Sequence, residues 1–180
     1  PGEDLDINCI VPRQKKNNGG MFWGYFVGLQ AGPSIFWDKG WGNMTAVGYR
    51  QRILPGVVEL IWSSSRNGIN LQFMYDNAAI HRATVVNNYL NAHRVESMAW
   101  PPYSPDLNPI EIVWGLMKTF IQDRYGYSDQ TRQRRRAEVL PLVQETWREC
   151  TEPEILKGIL EGMHARCEAV IQAEGGFIDH

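Results

Sequence analysis

Two carboxylates in this chain are placed to do chemistry together. Asp76 ends the strand-like run Leu71-Gln72-Phe73-Met74-Tyr75-Asp76, and Glu111 lies beyond it with 34 residues between the two. Glu111 follows the proline-set stretch Trp100-Pro101-Pro102-Tyr103-Ser104-Pro105-Asp106-Leu107-Asn108-Pro109-Ile110. A carboxylate at a strand tip and another in the first turn of a helix can converge on divalent cations. All-oxygen ligands suit magnesium or manganese, whereas zinc would want His or Cys. With two such ions held, one activates water and the other stabilises a leaving oxygen, an arrangement suited to phosphodiester chemistry. A site of this kind needs a third carboxylate from an upstream strand. Asp4 and Asp6 follow a turn with no strand before them, and Asp38 comes only after the first hairpin.

Each carboxylate also has a plain structural reading. Asn108-Pro109-Ile110-Glu111 is a good helix start, with Asn as cap, Pro at the first helical position and Glu three residues past the cap. Asp76-Asn77 is an ordinary strand-to-turn junction. Taken singly, either residue is explained as well by structure as by catalysis. The pair, its spacing and the proline loop between favour a site.

The elements that must position the pair can be read in order. Residues 21–29 (MFWGYFVGL) form an aromatic strand, and 34–37 its return strand in a hairpin. Thr45 caps a helix carrying Tyr49, Ile53, Val57 and Leu60, which Pro55 should end or bend. Residues 63–68 read as a loop. In 71–76, Leu71, Phe73 and Tyr75 share one face while Gln72, Met74 and Asp76 share the other. Asp76 thus sits at a carboxyl strand end, the edge where open α/β sheets bind ligands. A helix over 79–91 presents Ala79, Ala83, Val86 and Leu90 on one face, and 95–100 is a second short strand. A helix over 109–124 turns Ile110, Val113, Trp114, Met117 and Ile121 inward, and two more helices span 133–150 and 153–173. This order implies an α/β fold, a mixed sheet with helices on its faces.

Composition sets bounds. The 180 residues suit one domain, residues 1–180, with one core. A formal net charge of −2 does not advertise nucleic-acid binding, so any such site is a local patch. Two short basic runs qualify: Arg13, Lys15 and Lys16, and Arg132 with Arg134, Arg135 and Arg136. Either could contact DNA phosphates, serve as a nuclear address, or be a solvated face. Cys9, Cys150 and Cys167 are few and far apart, which argues against a disulfide framework. No apolar run is long enough to span a bilayer. Trp23, Trp37, Trp41, Trp100 and Trp114 read as core.

At this point the chain resembles the catalytic domain of mariner-superfamily DNA transposases, in the branch with Asp, Asp and Glu and a 34-residue last interval. The match rests on Pro1-Gly2-Glu3, Met21-Phe22-Trp23-Gly24, Tyr75-Asp76-Asn77-Ala78-Ala79-Ile80-His81, the block from Trp100 through Glu111 with Trp114, and Glu174-Gly175-Gly176. The resemblance implies a ribonuclease-H-like fold and metal-dependent cleavage and joining of DNA strands. Asp76 resembles the second metal-binding Asp, and Glu111 the third carboxylate. Asn77 and His81 match neighbours of that Asp and would shape the site; a surface or capping histidine is the alternative for His81. DNA is the implied partner, a homodimer a further one, and the nucleus the implied location, or the cytoplasm if the chain is inactive. The family's first Asp ends a strand that precedes the Pro-Gly-Glu turn, and this sequence begins at that turn. The expectation is a domain lacking its first strand and inactive by itself. The alternative function is a catalytically dead, reused or decayed domain that binds nucleic acid or protein.

Overall fold

The hairpin is the wall between two cores. The structure, a computed structural model, describes residues 21–102, 104–125 and 136–176. Strand β1 (Phe22–Trp23) pairs antiparallel with β4 (Ile35–Phe36), setting Phe22 against Phe36 and Trp23 against Ile35. Strands β2 (Phe26–Val27) and β3 (Gln30–Ala31) close the tip. Gly28 makes that turn at φ 55°, a conformation that L side chains rarely adopt. Because side chains alternate along a strand, Trp23 and Ile35 pack on one core while Phe22 and Phe26 pack on the other.

The first core is built by α1 (Ala46–Arg52), α2 (Leu54–Arg66) and α3 (Thr84–Ala92). Its buried residues include Tyr49, Ile53, Leu54, Val57, Ile61, Val86 and Leu90. Thr45 caps α1 as expected, its hydroxyl accepting from the Gly48 N–H at 3.1 Å. The bend falls at Ile53, which ends α1 and caps α2. Pro55 then lies in the first turn of α2, where its missing N–H leaves no ladder bond unmade.

The second core is built by α4 (Pro109–Tyr125), α5 (Arg136–Cys150) and α6 (Pro153–Glu161), with Val113, Met117, Trp147, Cys150, Leu156 and Ile159 buried. Trp147 is its hub. Its ring stacks on Trp114 at 5.4 Å and meets Phe22 edge-on at 5.6 Å. It also covers Gly24 so closely that a Cβ there would come within 2.8 Å of the indole. This close approach coincides with the gap between β1 and β2, so the strand expected over 21–29 is divided.

Other elements depart from the sequence reading. The segments 71–76 and 95–100 meet only at one parallel bridge, Phe73 with Ser97, rather than as two strands. Each lacks a longer ladder among the described residues, and extended backbone is not scored as strand without one. The helix expected from residue 79 begins at Thr84, because an Asp76-centred turn holds the preceding residues. The loop expected at 63–68 is mostly helix: α2 runs on to Arg66, with the Ser63 hydroxyl donating back to Leu60 O at 2.8 Å. The helix expected over 153–173 is cut at Gly162 into α6 and α7 (Met163–Gln172). The expected start at 133 lies outside the described residues. Of the five tryptophans, Trp37 is buried but Trp41 is exposed, stacked under the Arg52 guanidinium at 4.1 Å.

Candidate functional site

Asp76 is oriented by polar contacts. The Phe73 N–H donates to Glu96 O at 2.8 Å and the Met98 N–H to Phe73 O at 3.0 Å, which fixes the segment leading to it. The Ala78 N–H donates to Asp76 Oδ1 at 3.0 Å, an Asx turn. His81 Nδ1 lies 2.6 Å from the same oxygen. Among the described residues, the hydrogen bonds to this carboxylate fall on Oδ1 alone. The Asp76 side chain is 53% exposed, while that of His81 is 15% exposed. The imidazole packs on Tyr49, ring centres 4.6 Å apart, and meets Tyr75 edge-on at 5.8 Å. The Trp23 indole donates to the Tyr49 hydroxyl. Burial pushes that hydroxyl well above its ordinary value against the opposing effect of the indole bond, and the charges of Asp76 and Tyr75 add to it.

Asn77 ties the end of this segment to the proline loop. Its Nδ2 donates to Trp100 O at 2.9 Å and to Pro101 O at 3.2 Å. At the loop's other end, buried Asn108 accepts from the Ile110 N–H at 3.3 Å and so caps α4. The Asn108 N–H goes to Pro105 O, not to Glu111. Only half of the expected capping box therefore forms. The Glu111 carboxylate makes no hydrogen bond or ion pair among the described residues.

Asp76 and Glu111 line the same cleft, a space of about 720 Å³ between the hairpin, the 71–76 segment and the start of α4. Trp23, Tyr75, His81, Asn108 and Trp114 line it too. The donor chemistry fits a hard divalent cation: two residues bearing carboxylates line one space, and Glu111 has no competing partner among the described residues. The described residues nonetheless hold no group of three metal-ligating side chains. Asp38 does not line the cleft; it caps the short turn at Lys39–Trp41, accepting from the Gly40 N–H at 2.7 Å. Asp4, Asp6 and the basic run at Arg13, Lys15 and Lys16 lie outside the described residues, as do Arg132, Arg134 and Arg135.

Sequence reasoning assigned Tyr49 only to a helix face and missed its contact with His81. No local signal marks it, since the contact joins α1 to a turn 32 residues further on. For Asn77 a signal existed: an amide next to a strand-tip Asp, facing a loop rich in prolines whose carbonyls need donors.

Comparison with known proteins finds transposases among the similar chains. The pattern of the DDE superfamily endonucleases matches residues 53–133, a span that contains both carboxylates. The Tcb1 transposase of Caenorhabditis briggsae is 30% identical over 162 residues, covering 89% of this chain and 55% of that protein. The Tc3 transposase of Caenorhabditis elegans is 26% identical over 179 residues, covering 98% of this chain and 51% of that protein. The chain thus spans about half the length of the curated relatives it matches. The Mos1 transposase catalytic domain solved with magnesium shares the fold at TM-score 0.67 and 16% identity, covering 89% of this chain and 77% of that one. A pre-cleavage Mos1 transpososome matches at TM-score 0.73 and 16% identity, covering 99% of this chain and 52% of that one. The ribonuclease-H-like expectation is met in the fold, and the chain is similar to transposases of the Tc1/mariner type, with the DDE superfamily endonuclease pattern over residues 53–133.

Proposed function

We propose that this domain performs metal-dependent cleavage and transfer of DNA strands, with Asp76 and Glu111 as ligands of magnesium or manganese. One observation carries the reading: two carboxylates borne by different cores arrive at one cleft. The magnesium in the Mos1 catalytic domain and the transpososome assembled by the same protein support it. When bound, a divalent cation supplies Lewis-acid stabilisation of the oxygens that gain charge as a phosphodiester is opened. Within this chain, Asp76 and Glu111 bind it, and Asn77 holds the loop between them. The attacking groups are water for cleavage and a DNA 3′-hydroxyl for transfer. A third ligand would have to come from outside the described residues, and without it the chain is expected to be inactive by itself. Residues 1–180 act as a single domain in this reading. DNA as substrate favours a nuclear location in this reading, and pairing of two copies is its further partnership. No helix among the described residues is long and apolar enough to cross a membrane.

The test is titration calorimetry with Mn²⁺ on the chain and on Asp76→Ala and Glu111→Ala. Binding that each substitution abolishes, with the circular dichroism spectrum unchanged, is the expected result. Binding that survives both substitutions overturns the assignment. The absence of a three-ligand group among the described residues favours a second reading, a catalytically silent module that binds nucleic acid or protein. That reading requires no Mn²⁺ uptake, and DNA affinity indifferent to Asp76→Ala.

A further inference from the structure

We propose that His81 is the positioning residue of the Asp76 carboxylate, fixing which of its oxygens is presented to a divalent cation. The inference rests on the reading of Asp76 as a metal ligand. An ionised carboxylate only accepts hydrogen bonds, so the 2.6 Å contact puts the proton on His81 Nδ1. The Ala78 N–H reaches the same Oδ1 at 3.0 Å. Two donors on Oδ1 leave Oδ2 as the oxygen with both lone pairs available for coordination.

The donor is itself immobilised. The His81 ring is largely buried, packed on Tyr49 at 4.6 Å and edge-on to Tyr75 at 5.8 Å. Tyr49 is fully buried and anchored by the Trp23 indole. Asp76, half-exposed, would otherwise exchange among rotamers. A fixed imidazole removes that freedom before a cation arrives, as outer partners of metal ligands commonly do. If His81 served only to fill space between the tyrosines, the position of its donor atom would not matter.

That difference decides the experiment. In Asn the amide nitrogen is attached to Cγ, as Nδ1 is in His, so His81→Asn keeps a donor facing Asp76. In Gln the amide lies one carbon further out, near the place of Nε2, and His81→Gln removes that donor. Mn²⁺ titration calorimetry on the whole chain, with thermal melting of each metal-free protein, compares wild type, His81→Asn, His81→Gln, His81→Ala and Asp76→Ala. The expected result is affinity about 10- to 100-fold lower for His81→Gln and His81→Ala, and restored to within a few-fold of wild type in His81→Asn. If His81→Ala does not fold, the Asn and Gln variants carry the comparison. Wild-type affinity in His81→Gln, or equal loss in Asn and Gln, overturns the inference alone, provided Asp76→Ala still abolishes binding. Equal titrations of wild type and Asp76→Ala, whether both bind or neither does, overturn the metal reading and the inference with it.

Discussion

Asp76 and Glu111 reach the cleft by opposite means. Asp76 ends a segment with one bridge of sheet pairing, and its direction is set by side chains: His81 on its oxygen, Asn77 tying the next residue to the proline loop. Glu111 rides on α4, whose Val113 and Met117 are buried in the second core and whose start is capped by Asn108. Its carboxylate has no partner among the described residues. One group is oriented by a few polar contacts that a single substitution removes. The other is oriented by packing spread along a helix, which no single polar change undoes. Removing the polar contacts around Asp76 should therefore cost affinity more than stability, and loosening the packing behind α4 should cost stability more than affinity.

The largest effect should come from the second core. Trp147→Ala removes the ring that stacks on Trp114 and covers Gly24, and should cost about 3–5 kcal/mol in thermal or urea unfolding. The hairpin contributes Trp23 to one core and Phe22 to the other, so the two should still unfold together. Separate transitions seen by circular dichroism and by tryptophan fluorescence would break the comparison, making the cores independent units. Gly24→Ala tests the same contact from the other side. Its new Cβ meets the Trp147 ring at 2.8 Å, and overpacking of this kind costs about 1–3 kcal/mol. Unchanged stability would mean that the ring yields freely.

Two amide substitutions sharpen the contrast at smaller scale. Asn108→Ala removes the α4 cap and should cost about 1 kcal/mol of stability. Asn77→Ala loses two bonds to the proline loop at a net stability cost also near ~1 kcal/mol. The Asn77 variant should in addition speed amide hydrogen exchange at Ser104 and Leu107 and weaken Mn²⁺ uptake. Equal exchange in the two variants would show that Asn77 does no more for the loop than an ordinary cap does for its helix.

How much of this was legible in the sequence follows the same division. Helix α4 was readable because its start, cap and apolar spacing are all local, and the Thr45 cap and the break near Pro55 were readable for the same reason. The pairing of Asp76 with Glu111 was readable as a spacing. The 71–76 and 95–100 segments were not, because strand character depends on a neighbour that local pattern does not supply. The late start of α3 was hidden too: Ala78 and Ala79 favour a helix, but the Asp76 carboxylate captures the Ala78 N–H and holds the chain in a turn. The ring behind His81 depends on a contact across 32 residues, beyond the reach of periodicity.

The last contrast is a pH dependence that differs between the cores. In the second core, burial pushes the Cys150 thiol up from its ordinary 9.0 to about 11; the charge of Glu149 adds to this and Arg124 opposes it. The folded chain thus holds this proton more tightly than the unfolded one. The resulting stability is fully present below pH 9 and is lost as pH rises toward 11. By about pH 10.5 the loss is on the order of 1–2 kcal/mol. In the first core, burial raises Tyr49 from 10.0, so its loss begins only above that pH. Melting temperatures followed from pH 8 to 10.5 should therefore fall less steeply in Cys150→Ala than in wild type, and the difference should open near pH 9. Tyr49→Phe should show no such difference until pH passes 10. Parallel curves for wild type and Cys150→Ala would mean that the thiol meets solvent in the folded chain and that the second core is looser than its packing implies.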